Sequence, residues 1–418
     1  MNRRVVVTGM GIWSCIGQDL QTVTENLRQG RSGVVFAPER IKYGLHSGLV
    51  GDVPHPDLKP LLPRKFRATM SEDTEYAYMA ARQAFEQAGM SDAYLRQNEV
   101  GLIFGNDGNV HILDYMPIME EEHDSQLISP NALFQSETSS VTMNLSTIFH
   151  LKGINFCIGA ACASSSHAIG LASLLIRQGM QNAVLVGGSC LIDMRGVAAS
   201  DALEAISRKN ENPEGASCPF DKNRDGMVPS GGAAALVLEE YEHAVSRGAT
   251  ILAEVCGYGF SSNGVEEISM PSADAEYIAM KRAIEDAGMQ PSDIDYVNAH
   301  GTSTIVGDVE EAKALTRLFA PPNPSSGSSE TSASSPFISS TKSMTGHENS
   351  MAGASEAVYS ILMMQNGFVA PNINLENKID EAADLNIVTE TVYAPIRTVL
   401  SNSSGMGGTN SALVFKKI

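Results

Sequence analysis

Short apolar runs rich in β-branched residues recur along the chain, and most of them lead into glycine. Runs of this length and composition predict buried β-strands. Between them lie segments whose apolar positions recur with the spacing of an amphipathic helix. The alternation predicts an α/β fold in which helices cover a sheet. The clearest predicted strands are residues 4–9, 100–105, 182–188, 235–238 and 251–255.

One helical segment occurs twice. Residues 78–90 read YMAARQAFEQAGM and residues 277–289 read YIAMKRAIEDAGM, so seven of 13 positions are identical. In each copy the predicted helix ends at a glycine, Gly89 or Gly288, and an apolar strand follows. We expect two related α/β halves, residues 1–250 and 251–418, with a site where they face each other. A chance similarity between two alanine-rich helices is the alternative.

A single segment has low complexity. Residues 321–335 read PPNPSSGSSETSASS and contain too little apolar surface to fold. We expect a mobile surface insertion in the second half.

Composition narrows the possible partners. The 418 residues include 29 Lys and Arg against 48 Asp and Glu, a formal net charge of −19, which disfavours a role in binding nucleic acid or an anionic membrane. No stretch approaches the roughly 18 apolar residues that span a bilayer. The six cysteines form no CxxC pair, which favours free thiols over disulfides or a zinc site. We therefore expect a cytoplasmic protein.

Residues 153–180 read GINFCIGAACASSSHAIGLASLLIRQGM and predict a strand, a turn of small residues and a helix. Cys162 falls at the turn, where unpaired N–H groups and the helix dipole favour a thiolate. It is a candidate nucleophile, with a buried structural thiol as the alternative. His167 lies about 140° further around the helix axis. It is therefore expected to be a packing or capping residue.

Two further histidines stand in polar loops of the second half. His300 follows a short predicted strand that ends at Ala299, and His347 precedes a helix that runs to about residue 364. A helix N-terminus would keep His347 neutral and able to donate to an oxyanion. Residues 402–410 form a glycine-rich turn that matches no phosphate-binding motif, but its N–H groups could complete an oxyanion hole.

These segments together resemble the β-ketoacyl-acyl-carrier-protein synthases, the elongating condensing enzymes of fatty-acid synthesis. The motifs CASSSHAIG, NAHGTST, STKSMTGH and GGTN occur in the order and spacing of that family, and the resemblance covers nearly the whole chain. It implies a thiolase-like fold with αβαβα layers. It also implies decarboxylative condensation of malonyl-acyl-carrier-protein with a Cys-bound acyl chain, giving 3-oxoacyl-acyl-carrier-protein.

The resemblance also implies roles for individual residues. The acylated cysteine would be Cys162, and the histidines that polarise the malonyl thioester would be His300 and His347. The remaining matches are Lys342 and Glu356 for the site's electrostatics, Glu311 for an ion-pairing acid, Thr302 and Thr304 for pantetheine contacts, and the backbone N–H groups of Cys162 and Met406 for the oxyanion hole. No metal or resident cofactor is implied, because the substrates are carried on the phosphopantetheine of acyl carrier protein.

The chain departs from the family pattern where aromatic residues usually gate the acyl pocket. The usual NSFGFGG becomes NSSGMGG, which places Ser404 and Met406 at two phenylalanine positions, and the usual RDGF ends in Met227. Methionine is flexible and serine is small, so we expect a more adaptable acyl pocket. The loop after His300 also lacks the proline that commonly follows Thr304.

The implied partners are acyl carrier protein and a second copy of the chain in a homodimer. Carrier proteins are acidic, so docking on an acidic chain requires a local basic patch. The cluster Arg64, Lys65 and Arg67, with Arg208, matches the family's docking positions. A plain solvated basic patch is the alternative reading.

Other functions remain open. The chain could be a ketosynthase of a specialised aryl-polyene or type II polyketide pathway. A non-catalytic chain-length factor is disfavoured because such subunits lose the nucleophile, and a degradative thiolase is disfavoured because Cys256 is the last cysteine and no C-terminal one follows.

Overall fold

The structure is a computed structural model that describes residues 3–108, 111–265, 267–319 and 335–418. All five strands predicted most clearly from the sequence are present. The strands are β1 (Val5–Trp13), β2 (Val34–Phe36), β3 (Leu49–Gly51), β4 (Gly101–Gly105), β5 (Asn155–Ile158), β6 (Ala183–Cys190), β7 (Gly232–Glu240), β8 (Ala253–Ser262), β9 (Tyr296–Asn298), β10 (Phe337–Ser339), β11 (Phe368–Val369), β12 (Val392–Tyr393), β13 (Thr398–Gly405) and β14 (Thr409–Lys416).

Helices alternate with these strands along the chain. They are α1 (Leu20–Gln29), α2 (Pro38–Tyr43), α3 (Arg64–Arg67), α4 (Glu72–Ala88), α5 (Asp92–Gln97), α6 (Met116–Glu121), α7 (Ala132–Ser136), α8 (Ser140–Phe149), α9 (Ser164–Arg177), α10 (Met194–Ala202), α11 (Tyr241–Ser246), α12 (Ala273–Asp286), α13 (Gly307–Phe319), α14 (Lys342–Thr345) and α15 (Ala352–Asn366).

Ten strands form one mixed sheet in the order β10-β9-β13-β14-β8-β1-β7-β6-β4-β5. The sheet consists of two halves of five strands each, which meet where β1 pairs antiparallel with β8. Moving outward from β1, the successive pairings are antiparallel, antiparallel, parallel and parallel. Moving outward from β8, the pairings follow the same series. The boundary near residue 250 that the repeat suggested remains a prediction.

Alternation along the strands separates the helices into layers. In β7, Ala233, Ala235 and Val237 belong to the core that α4 covers, while Leu236 and Leu238 belong to the core around α9 and α15. Successive side chains of a strand point to opposite faces, so α4 and the pair α9–α15 lie on opposite sides of the sheet. On the half of the sheet that contains β9, β13 and β14, the helices α12 and α13 form the outer layer. The predicted αβαβα arrangement is confirmed.

The two middle helices are apolar or small on nearly every side. All residues of α15 from 352 to 364 are buried, which is typical of a helix that lies inside a large protein. The helix α9 contacts β4 and β6 as well as α15. The segments that lead into these two helices therefore lie in the interior, between the two halves of the sheet.

The first copy of the repeated helix lies directly on the backbone of β1. A Cβ added to Gly9 would stand 2.0 Å from the carbonyl oxygen of Ala84, and one added to Gly11 would stand 2.0 Å from that of Ala80. Only glycine on the strand allows this approach.

The second copy repeats the contact on β8. A Cβ added to Gly257 would stand 2.1 Å from the carbonyl oxygen of Ala283, and one added to Gly259 would stand 2.0 Å from that of Ala279. These alanines occupy the same positions in the second copy as their counterparts in the first. The two copies of the repeated helix therefore pack against their strands, β1 and β8, in the same way.

Two features complete the fold. All six cysteines are free thiols, as predicted. Among the described helices, none combines the length and the apolar character needed to cross a bilayer. Of the predicted insertion at 321–335, residues 321–334 lie outside the described residues.

The glycine contacts generate a stability test. We expect Gly11→Ala and Gly257→Ala each to lower the free energy of unfolding by about 2 kcal/mol or more, because the added methyl group overlaps a helix carbonyl. Urea unfolding followed by circular dichroism measures this. Gly108→Ala is the control, since a Cβ there would meet nothing within 4 Å. Equal stability of all three variants would contradict the assigned contact.

Candidate active site

Cys162 lies between β5 and α9, where the sequence predicted a turn. A short 3-10 helix over Ala161–Ala163 leads directly into α9. Ala161 has a φ of 47°, a left-handed conformation that residues other than glycine seldom adopt. The backbone is therefore strained next to the cysteine. The turn places Cys162 in the wall of a cavity of about 650 Å³.

His347 stands beside the sulfur. Its Nε2 lies 2.9 Å from Cys162 Sγ, and its Nδ1 accepts a hydrogen bond from the backbone N–H of Asn349 at 3.3 Å. A neutral imidazole carries one proton, so an accepting Nδ1 places that proton on Nε2. His347 therefore presents a donor, not a base, to the sulfur and to any oxyanion formed there.

His300 occupies the same cavity. It follows β9, and its ring lies perpendicular to that of His347 at 87°, with 5.3 Å between the centroids. Its Nδ1 lies 3.5 Å from Lys342 Nζ. An ammonium group only donates hydrogen bonds, so this contact also favours the tautomer that carries its proton on Nε2. The two imidazoles thus form a pair of N–H donors.

Burial and the nearby Lys342 hold the pKa of both His300 and His347 well below the usual range. Both rings are therefore neutral near neutral pH. The sequence predicted a neutral His347 because of a helix N-terminus. The state is as predicted, but its main cause is burial.

The prediction of a thiolate-favouring environment at Cys162 is wrong in its direction. Burial raises the pKa of the thiol to about 11, and the donors and the Lys342 charge that oppose burial are too weak to reverse it. Cys162 is therefore a neutral thiol in the resting protein. The helix dipole argument failed because it counted the donors without the cost of removing the thiolate from water.

Two backbone N–H groups act on the sulfur, those of Met406 and of Cys162 itself, and both lower the pKa of the thiol. Paired N–H donors at one position have the arrangement of an oxyanion hole. The sequence placed Met406 within a turn over 402–410. Residues 402–405 instead end β13 and pair with β14, so the turn comprises only the residues around 406–408.

Lys342 and Glu356 form a fully buried ion pair below the histidines, each about 1% exposed. Burial raises the pKa of Glu356 to about 7, although Lys342 opposes the rise. The pair places a positive charge beside His300 without leaving that charge unbalanced inside the protein. This agrees with the electrostatic role expected for both residues.

The resemblance implied an ion-pairing role for Glu311, which remains a prediction, although the charge of Lys342 lowers the pKa of this carboxyl against the effect of burial. Its carboxylate accepts hydrogen bonds from the backbone N–H groups of His300 and Gly301 at 2.7 and 2.6 Å, and from the side-chain amide of Asn402 at 2.8 Å. None of these donors is a cation. Its contacts are therefore those of a loop anchor for His300, and the expected ion pair is not among them.

The expected pantetheine and gate residues share the cavity wall with Cys162 and the histidines. Thr302 and Thr304 lie on one part of it, with their hydroxyl oxygens 3.0 Å apart. Met227, Ser404 and Met406 also line the cavity. Met406 is half exposed and Met227 is buried. The structure thus brings these five residues together, while their roles remain predictions.

The four predicted docking residues occupy two places. Arg64, Lys65 and Arg67 lie on helix α3, where Arg64 and Lys65 are exposed and Arg67 is half-buried; the helix is tied to α8 through the neighbouring contact of Thr69 with Asn144. In contrast, Arg208 is exposed and forms an ion pair at 3.4 Å with Glu204, a residue of the cavity wall. Within the described residues, no hydrogen bond or ion pair joins the two places.

Three further residues lie near the cysteine and the two histidines: His167, Asn349 and Glu276. His167 is a packing residue, as predicted, and its ring nitrogens contact the hydroxyl groups of Tyr258 and Thr409 at 2.7 and 2.9 Å. The sequence reasoning missed Asn349, which sets the His347 tautomer through its backbone, and Glu276, a buried carboxyl in the cavity wall. A backbone contact leaves no sequence signal.

Cys162, His300 and His347 each offer a ligand atom, and these atoms lie within 4.8 Å of one another. Thiolate and imidazole are ligands that zinc accepts. An ion bound there would occupy the sulfur and the histidine donors. Metal binding and use of Cys162 as a nucleophile therefore exclude each other at this site.

The raised pKa predicts the reactivity of Cys162. Its rate of alkylation by iodoacetamide should rise about tenfold per pH unit from about pH 7 to about pH 10, because only the thiolate reacts. Mass spectrometry of the peptide that contains Cys162 measures the rate, and the Cys162→Ala protein gives the background. A plateau below about pH 8 would show that the thiol ionises far more readily than its burial implies.

Comparison with known proteins gives a consistent result along the chain. Residues 2–244 match the family model of the β-ketoacyl synthase N-terminal domain, and residues 252–376 match that of the C-terminal domain. The chain is 40% identical over 420 residues to 3-oxoacyl-[acyl-carrier-protein] synthase 1 of Escherichia coli (strain K12), covering 100% of this chain and 99% of the relative. The corresponding synthase of Haemophilus influenzae is 40% identical over 422 residues, covering 99% of each.

Solved structures agree. A β-ketoacyl synthase from Burkholderia phymatum STM815 superposes with a TM-score of 0.91 at 35% identity, and a type II polyketide synthase acyl-carrier protein in complex with its hexaketide-bound ketosynthase gives 0.86 at 29%. Both comparisons cover 100% of each chain. Family models that span most of the chain, full-length relatives and a cavity that brings Cys162 together with His300 and His347 lead to one conclusion: the chain belongs to the β-ketoacyl synthase family.

Proposed function

We propose that the chain is a 3-oxoacyl-[acyl-carrier-protein] synthase, an acyltransferase that elongates fatty acids by decarboxylative Claisen condensation. The observation that carries the proposal is the placement of Cys162 Sγ within 2.9 Å of His347 Nε2, with His300 in the same cavity. A nucleophile beside two neutral donors suits a reaction that needs both an acyl carrier and an enolate stabiliser.

The first step transfers the acyl chain. Cys162 loses its proton to water in the cavity, and its thiolate attacks the carbonyl carbon of the carrier thioester. The backbone N–H groups of Cys162 and Met406 hold the oxyanion of the tetrahedral intermediate. The carbon–sulfur bond to the carrier then breaks, and the carrier leaves as a thiolate that takes up the proton which Cys162 gave to water. The acyl group remains on Cys162 as a new thioester.

The second step generates the carbon nucleophile. Malonyl on a second carrier loses CO₂, and the electron pair of the broken carbon–carbon bond becomes an enolate. Its oxygen needs hydrogen-bond donors, which the Nε2–H groups of His300 and His347 supply. Neutral imidazoles suit this role, since their protons stay in place while the charge develops.

The third step joins the two groups. The enolate carbon attacks the acyl carbonyl on Cys162, and the oxyanion forms again at the paired N–H groups. Collapse of this intermediate expels the Cys162 thiolate, which recovers a proton, and leaves 3-oxoacyl-acyl-carrier-protein. Each electron pair stays with the substrates or the sulfur, so the chemistry needs no resident cofactor.

The proposed partners are acyl carrier protein and a second copy of this chain. The carrier would bring its phosphopantetheine past Thr302 and Thr304, and its acidic surface would contact Arg64, Lys65, Arg67 and Arg208. A homodimer is supported by exposed apolar side chains between β4 and α8, namely Ile112, Leu113, Met116, Met119, Leu127, Leu133 and Phe134. Free thiols throughout the chain support a cytoplasmic location.

One observation favours a second candidate, a ketosynthase of a specialised aryl-polyene or type II polyketide pathway. Three cavity-lining positions that are usually aromatic hold Met227, Ser404 and Met406. A cavity with flexible or small side chains there would accept chains of unusual shape. Saturated medium chains are the expected substrates of the first candidate, and polyenoyl or aryl primers are those of the second.

The proposed roles predict separable defects. Cys162→Ala should abolish the acyl mass that the protein gains from an acyl-carrier substrate, because no thioester can form. His347→Ala should lower malonyl decarboxylation by about a hundredfold or more and self-acylation far less, since it removes a donor to the enolate. Intact-protein mass spectrometry and release of labelled CO₂ measure the two reactions.

Two results would contradict these roles. Acylation that persists in the Cys162→Ala protein would remove the cysteine from the mechanism. Equal loss of both reactions in the His347→Ala protein would make that histidine a structural residue. Circular dichroism of both variants checks that each is folded.

The docking proposal also has a direct test. Charge reversal of Lys65 and Arg67 to Glu should raise the KM for carrier-linked substrate by about tenfold, while acylation by a small thioester is unchanged. The matched control reverses Lys281 and Arg282. Like Lys65, Lys281 is exposed, and Arg282 donates to a backbone carbonyl as Arg67 does. The same rise in KM for both double variants would show a general effect of charge and not a docking surface.

A further inference from the structure

The cysteine and the two histidines of the cavity converge as the ligands of a zinc site do. A ligand atom of each of Cys162, His300 and His347 lies within 4.8 Å of the others. A catalytic zinc ion takes three such protein ligands and keeps a fourth position open. Zinc bound to Cys162 would remove the proposed nucleophile. The groups that decide between a metal ion and an organic substrate lie next to the other nitrogen of each imidazole ring.

A histidine binds a metal ion only through a ring nitrogen that carries no proton. In the neutral imidazole the proton then lies on the other nitrogen. In metal sites that second nitrogen almost always donates its proton to a carboxylate, a backbone carbonyl or water. The group that faces the second nitrogen therefore determines whether the first can bind a metal.

Both cavity histidines have a donor at this position in place of an acceptor. Nδ1 of His347 accepts from the backbone N–H of Asn349 at 3.3 Å. Nδ1 of His300 lies 3.5 Å from Nζ of Lys342, and an ammonium group only donates. To bind a metal through Nε2, either ring would have to place its proton on Nδ1, against a donor. The buried donor would lose its acceptor, which is costly.

Two other histidines of the chain show the opposite arrangement. Nδ1 of His46 lies 3.0 Å from Oδ2 of Asp201, and Nδ1 of His243 lies 2.8 Å from Oε2 of Glu239. A carboxylate at Nδ1 holds the proton there and leaves the lone pair on Nε2, which is the state that a metal requires. A donor at Nδ1 is therefore not a general feature of the histidines of this protein.

The spacing of the sulfur and the imidazole also disfavours a metal ion between them. Zinc holds sulfur at about 2.3 Å and nitrogen at about 2.0 Å in a tetrahedron, so two such ligands stand roughly 3.5 Å apart. Nε2 of His347 lies only 2.9 Å from Sγ of Cys162. An ion would have to separate the segments that lead into α9 and α15. These helices are closely packed, since a Cβ on Gly353 would stand 2.6 Å from the backbone nitrogen of Ser166.

We propose that Lys342 and the backbone N–H of Asn349 make the site selective against divalent transition-metal ions such as Zn²⁺, by keeping the proton of each histidine on Nε2. Lys342 is a positioning residue in this respect, because it acts through His300. Its positive charge also repels a cation. The inference goes beyond the proposed function, because it concerns metal affinity and its test needs no acyl substrate.

Nuclear magnetic resonance of the protein labelled with ¹⁵N in histidine measures the two tautomers directly. Long-range ¹H–¹⁵N spectra distinguish a protonated ring nitrogen from an unprotonated one, and the variants His300→Gln and His347→Gln assign the signals. We expect a proton on Nε2 and none on Nδ1 in both rings. A proton on Nδ1 of either ring in the wild-type protein would overturn the inference.

Zinc affinity tests the consequence of these tautomers. Lys342→Gln replaces a group that only donates by an amide, whose NH₂ can donate to Glu356 while its oxygen accepts from Nδ1 of His300. We expect this variant to bind Zn²⁺ at Cys162 at least about tenfold more tightly than the wild-type protein does. Competition with a zinc-binding dye measures the affinity, and the Cys162→Ala change in each background gives the contribution of all other sites.

Arg247→Gln is the matched control. It also removes the cation of a largely buried ion pair, that with Glu239, and neither residue is among the described residues that line the cavity. Its zinc affinity should equal that of the wild-type protein. Equal affinity of Lys342→Gln and the wild-type protein at Cys162, or an equal gain in Arg247→Gln, would overturn the inference. Circular dichroism checks the folding of both variants, and if Lys342→Gln does not fold, the wild-type tautomers decide the question.

Discussion

The arrangement of the site depends on how closely the two middle helices approach each other at their N-termini. A Cβ on Gly353 of α15 would stand 2.6 Å from both the backbone nitrogen and the Cβ of Ser166 of α9, and the Ala354 N–H donates to Ser165 Oγ at 2.9 Å. Cys162 leads into one helix and His347 into the other. This contact therefore brings the proposed nucleophile and the proposed donor, which are far apart in the sequence, to within hydrogen-bonding distance.

Burial between the two halves of the sheet then decides the protonation states of Cys162, His300 and His347. Near neutral pH it keeps Cys162 as a thiol and both histidines as neutral imidazoles. Lys342 lies beside His300, and its charge is balanced by Glu356. A neutral site costs less to bury than a charged one, and in the proposed reaction it becomes charged only when Cys162 ionises or when the substrate forms an enolate. The same physical condition that weakens Cys162 as a nucleophile thus suits the histidines as donors.

The cavity wall combines parts with different degrees of freedom. His300 is held through its backbone by Glu311, and the backbone nitrogen of Met406, which we propose as part of the oxyanion hole, is held by the hairpin of β13 and β14. The shape and polarity of the wall depend on the side chains of Ser404, Met406 and Glu276, which can differ without moving those backbone groups. Chemistry and substrate choice are therefore carried by separate atoms, in Met406 by the backbone and the side chain of one residue.

The sequence by itself determined the α/β layers, the clearest strands and the repeated helix, and it pointed to Cys162, His300 and His347 as candidate site residues, because periodicity, glycine positions and local motifs express short-range physics. The direction of the Cys162 pKa, the hydrogen bonds of Glu311 and the tautomer of His347 followed only from the tertiary structure. Each depends on burial or on a backbone contact between distant segments, and neither leaves a mark in the residue pattern. Glu276 shows the difference most directly: in the sequence it is an unremarkable helix residue, and only the folded chain places it as a buried carboxyl in the cavity wall.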